Sequence, residues 1–61
     1  MITKVYYIDG TRESKQKMKE IRETIPCFYS SKPVEMDFLE VTIQMRIEDV
    51  AFVEMMIAPL V

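Results

Sequence analysis

From Glu40 to Ile47 the chain alternates without a break. Val41, Ile43, Met45 and Ile47 are apolar, and Glu40, Thr42, Gln44 and Arg46 between them are polar or charged. A strand repeats every two residues, so this run buries one face and leaves the other in water. It therefore commits the chain to a sheet. A sheet needs three or more strands, or a helix packed against it, to be stable.

The first 26 residues offer candidates for both. Ile2 to Ile8 is rich in β-branched and aromatic residues, which suit a pleated surface. Ile2, Tyr6 and Ile8 share one face with Lys4, while Val5 and Tyr7 point to the other. Both faces carry bulk. Asp9-Gly10 ends the strand, and Gly10, the single glycine, is expected to supply a positive φ for the exit. Thr11 then reads as an N-cap, with Glu13 near the positive end of the helix dipole. A helix is expected over 12–24, with Met18, Ile21 and Ile25 as a thin apolar stripe. Pro26 stops it, because the residue before a proline disfavours helical geometry.

Cys27-Phe28-Tyr29 reads as a short extended piece and Ser30-Ser31-Lys32-Pro33 as a turn. Val34, Met36 and Phe38 alternate in the parity opposite to the later run. One extra residue would restore the facing, so a β-bulge is expected at Phe38-Leu39. The other reading starts the strand near Phe38.

Phe38 to Val61 holds 16 of the chain's 30 apolar side chains. After Glu48-Asp49 only Glu54 is charged, and 49–58 is expected to be a helix. A fully buried apolar side chain contributes roughly 1.5–3 kcal/mol, and a chain of 61 residues has little core to offer. Domains this small usually add disulfides, a metal or oligomerisation. Cys27 is the single cysteine and histidine is absent, so neither an internal disulfide nor a tetrahedral zinc site is expected. Self-association remains. Val50, Phe52, Val53, Met56, Ile57 and Leu60 are the expected interface residues, in a homo-oligomer with a dimer favoured. Met55 and Val61 belong to the same segment.

Charge divides along the chain. Residues 1–34 carry +3 and residues 35–61 carry −5, with Arg46 the only cation of the second part. Such a split can orient copies or steer a partner. Arg12, Lys15, Lys17, Lys19 and Arg22 form a basic stripe, but Glu13, Glu20 and Glu23 interleave with it. Nucleic-acid binding is therefore not favoured. No stretch has the roughly 18–20 apolar residues that span a bilayer, and the C-terminal segment lacks Lys and Arg to meet anionic lipid. No membrane partner is expected. The lone cysteine and the absence of a signal-peptide pattern give a cytoplasmic location as the expectation.

Catalytic groups are sparse. Cys27 has no histidine to activate it and follows a helix end rather than preceding one. Glu35, Asp37 and Glu40 lack a partner that would tune them as an acid and base. Asp9-Gly10-Thr11 sits at a strand-to-helix junction, which a tight turn plus an N-cap explains.

The opening strand, the Asp9-Gly10 turn and the charged helix, Ile2 to Glu23, resemble the small 4-oxalocrotonate tautomerase family. The resemblance implies β-α-β subunits that assemble into oligomers, with an N-terminal proline, exposed by removal of Met, as the catalytic group. Here Ile2 follows Met1, Pro26 cuts the helix short, and the glycine-rich C-terminal hairpin is absent. Arg12 alone is carried over as a site residue that the resemblance implies.

The sequence thus predicts one small α+β domain over 1–61, in the order β-α-(β)-β-α, its sheet completed by oligomerisation. The expected function is non-enzymatic: a protein-interaction or regulatory chain, of the kind that inhibits or adapts a larger protein. No catalytic residue, metal or cofactor is expected. The alternatives are a tautomerase-like enzyme without the usual proline and a nucleic-acid-binding regulator using helix 12–24.

Overall fold

The computed structural model describes residues 1–60. It is a small α+β domain, a three-stranded antiparallel sheet with two α-helices. β1 (Ile2–Asp9) leads into α1 (Arg12–Thr24), then β2 (Cys27–Pro33) and β3 (Phe38–Met45). A 3-10 turn (Ile47–Asp49) precedes α2 (Val50–Ile57), and a second (Ala58–Leu60) follows it. The sheet order is β1-β3-β2. Both outer strands are antiparallel to β3, so they run parallel to each other. α1 connects them, and β3 lies between them as in a split β-α-β unit.

The alternating run becomes β3, the central strand, as far as Met45, because it has the most apolar face to bury; Ile47, expected on that face, falls instead in the 3-10 turn and is 75% exposed, since the strand ends before it. Val41, Ile43 and Met45 are fully buried, with Ile8 from β1 beside them. Met18 and Ile21 of α1, Ile25, and Val53, Ile57 and Leu60 of the C-terminal segment complete one core. Thr11 caps α1: its backbone is extended, and its Oγ1 accepts from the Ser14 N–H at 3.2 Å.

Three local expectations are corrected. Ser30 to Pro33 is strand, not turn. The residues are poor strand formers by themselves, but β3 offers a ready partner at every position from Cys27↔Met45 to Pro33↔Leu39. There is no bulge at Phe38-Leu39, since the β1–β3 register runs through it unbroken, Ile8↔Leu39 and Asp9↔Phe38. Parity changes there because the chain has just reversed: residues 34–37 form the hairpin loop, closed by Val34 N–H to Phe38 O at 3.1 Å and Phe38 N–H to Glu35 O at 2.9 Å. Gly10 does not adopt a positive φ. It is needed for close approach, as its N–H donates to Asp37 O across the sheet. A Cβ there would lie 2.5 Å from that carbonyl oxygen. Gly10→Ala is accordingly expected to cost about 1–3 kcal/mol, as overpacking against backbone does, read as a lower urea midpoint with an unchanged slope.

The entry to α2 also differs from a simple dipole argument. Asp49 makes no capping hydrogen bond to the helix. Its carboxylate instead accepts from Arg46, Nε at 2.7 Å and Nη2 at 3.2 Å. The single cation of the acidic half is thus spent on holding the strand-to-helix corner.

Candidate interaction surface

Both helices pack on one face of the sheet, against the side chains of Ile8, Val41, Ile43 and Met45. The other face is uncovered. The two registers, with the Val34–Phe38 hydrogen bond just beyond β2, place its residues in four rows: Phe28–Gln44–Thr3, Ser30–Thr42–Val5, Lys32–Glu40–Tyr7, and Val34–Phe38–Asp9. Five of these are large apolar side chains at least 40% exposed: Val5, Tyr7, Phe28, Val34 and Phe38. Phe28 reaches 69%. An antiparallel sheet with one wet face usually shows polar residues there. Here the polar and apolar residues are mixed.

The third row is tied together. The Tyr7 hydroxyl donates to Glu40 at 3.1 Å, and the Lys32 ammonium lies 3.5 Å from the other oxygen of the same carboxylate. The hydrogen bond to Glu40 raises the Tyr7 pKa, since ionising the phenol would set two negative charges side by side. Around Tyr7, Val34 and Phe38, with Glu35 and Glu40 at the rim, the surface forms a shallow depression of about 350 Å³. Met36 stands beside it at the hairpin tip, 91% exposed, with φ 51°. A methionine in the left-handed region costs roughly 1–2 kcal/mol.

On the helix face, the Tyr6 hydroxyl donates to Glu54 of α2 at 3.1 Å. Burial first, then the hydrogen bond and the Glu54 charge, push the Tyr6 pKa up to about 12. This phenol ties β1 to α2 and stays protonated at neutral pH. Cys27 is half-buried, and burial pushes its thiol pKa up despite Arg22 nearby. That is the opposite of an activated nucleophile. Arg22 lies over the Tyr29 ring at 4.9 Å, and with Lys19, Glu23, Cys27 and Phe28 the pair lines an open groove of about 570 Å³.

The six residues expected at an interface divide in two. Val53, Ile57 and Leu60 are buried in the chain's own core. Val50, Phe52 and Met56 are half-buried against it. Val61 lies outside the described residues. Arg12 is exposed at the start of α1. Glu35 and Asp37 sit in the hairpin loop, and Glu40 belongs to the tied row. Among the described residues no three His, Cys, Asp or Glu side chains group as metal ligands, and no helix is long and apolar enough to cross a membrane. Sequence reasoning passed over the uncovered face. Its one signal there was the bulk of Val5 and Tyr7 on the second side of β1, which becomes meaningful once both helices are seen to pack on the first.

No protein-family model, curated protein or solved structure matches this chain.

Proposed function

We infer that the chain is a small non-enzymatic interaction or regulatory protein, and that its contact surface is the uncovered face of the sheet. One observation carries this reading: five large apolar side chains, Val5, Tyr7, Phe28, Val34 and Phe38, are exposed together on a face that neither helix covers. Exposed apolar groups are ordinary when scattered singly, but gathered on one face they mark a contact surface. Aromatic anchors set among polar neighbours are also the usual make-up of such surfaces. The side-chain chemistry supports the non-enzymatic part. Burial raises the pKa of the thiol, and the Tyr6 and Tyr7 phenols are each tied to a carboxylate that raises theirs.

Site-specific photo-crosslinking in the cells that make the protein tests the reading. A photoreactive phenylalanine analogue at position 28 is expected to give crosslinked polypeptides. The same analogue at position 47 is the control, because Ile47 is still more exposed but lies outside the strands of the sheet. Equal yields at the two positions, or none at 28, would defeat the proposal.

A further inference from the structure

Resting on that reading, we propose that the occupant of the uncovered face is a second copy of the chain, packed sheet on sheet about a two-fold axis that runs across the strands. The charge pattern selects this axis. In face-to-face packing the strands of the two sheets stay roughly aligned, about 10 Å apart. Two in-plane two-fold axes then satisfy the geometry. An axis along the strands sets each β3 residue over its own equivalent, so Glu40 meets Glu40 of the second copy in the middle of the contact. An axis across the strands exchanges the first row with the fourth and the second with the third.

The second arrangement is self-complementary. Phe28 covers Val34 of the second copy, and Val5 covers Tyr7. Glu40 faces Thr42, Lys32 faces Ser30, and Asp9 faces Thr3. No charged group meets one of its own sign, and each ionised group meets a hydroxyl that can bond to it. The axis passes through the row of Tyr6, Val41 and Ser31, which are paired in both registers, so one axis serves all three strands. Like charges brought together in the middle of a contact repel and disfavour it, which is the reason to reject the first axis.

Area bounds the contact. Three strands of seven or eight residues present a face of roughly 14 by 26 Å at ordinary strand spacing and rise. The two faces together have a plan area of about 750 Å², and side-chain relief brings the accessible area towards 1,000 Å². That is the lower bound for a specific contact. The dimer is therefore expected to be concentration-dependent.

Light scattering and sedimentation equilibrium across a concentration series test this, with two substitutions at Ser30. Wild type is expected to rise from 7.2 kDa towards twice that mass. Ser30→Glu faces Lys32 of the second copy twice over and is expected to tighten the dimer roughly fivefold at low salt, whereas Ser30→Lys weakens it by a similar factor. Ser30 is exposed and its side chain leaves the core untouched, so both variants fold. With the axis along the strands, Ser30 would face Val5, and both charges would weaken association alike; that result overturns the axis. A chain that stays monomeric at every concentration, yet crosslinks from position 28 to another polypeptide, overturns self-pairing while the interaction reading survives. Monomer with no crosslink at 28 overturns both.

Discussion

Val53→Asp is expected to leave the chain unfolded, not merely dissociated. Val53 of α2 is fully buried in the core. The change removes an apolar side chain worth roughly 1.5–3 kcal/mol and puts a carboxylate where it has no hydrogen-bonding partner, at a cost of several kcal/mol more. A domain of 61 residues has a total stability of roughly 3–9 kcal/mol. The sum consumes most or all of it. Far-UV circular dichroism at 25 °C should show loss of the helical and strand signal. Met55→Asp, two residues away on the opposite, exposed side of α2, serves as the comparison and should change stability by less than about 0.5 kcal/mol. A folded Val53→Asp protein of near-normal stability would contradict the placement of α2 in the core.

Two neighbouring prolines in β1 should destabilise to very different extents. The Gly10–Asp37 hydrogen bond continues the β1–β3 register by one pair. Bonded and unbonded pairs alternate in an antiparallel ladder. Lys4↔Ile43 is then a bonded pair, and Thr3, Val5, Tyr7 and Asp9 point their N–H and C=O groups away from β3. Lys4→Pro removes a donor inside the sheet and is expected to cost at least about 3 kcal/mol. Val5→Pro removes a donor on the open edge and should cost roughly 1 kcal/mol. Both side chains are exposed, so side-chain burial does not separate the two outcomes. Lys4 does lose an ion pair to Glu54 at 3.9 Å, but one so exposed is worth little. Thermal melts of the two variants decide the matter, and a larger loss for Val5→Pro would mean that the ladder has the other parity.

The same parity explains a residue that misled the sequence reading. The Val34–Phe38 bond makes Cys27, Tyr29, Ser31 and Pro33 the outward-pointing positions of β2. Pro33 lacks an N–H where none is required, so proline is compatible with the strand end. Composition alone made Ser30-Ser31-Lys32-Pro33 a turn, because strand preference there comes from the partner and not from the residues themselves.

Much else was legible. Met18, Ile21 and Ile25 stand out by spacing as the buried stripe of α1, and all three are in the core. Thr11 is recognisable as a cap by its hydroxyl and its place after a turn. The alternation of Val41, Ile43 and Met45 marks the central strand. These features are local: a repeat of two or of 3.6, or one side chain bonding to nearby backbone, is written within a few residues. The interaction surface was not legible in that way. The C-terminal segment drew attention by its density of apolar residues, yet much of that density is absorbed by the chain's own core.

The sequence by itself therefore determined that this is a small α+β protein with a half-buried strand at its centre, a capped charged helix, and neither disulfide nor histidine chemistry. Tertiary structure decided which apolar residues are left over. Whether a side chain is covered depends on where distant elements pack, and both helices lie on the same side of the sheet. That arrangement buries Val53, Ile57 and Leu60 and exposes Val5, Tyr7, Phe28, Val34 and Phe38. Burial is a property of the assembled layers, and no window of neighbouring residues contains it.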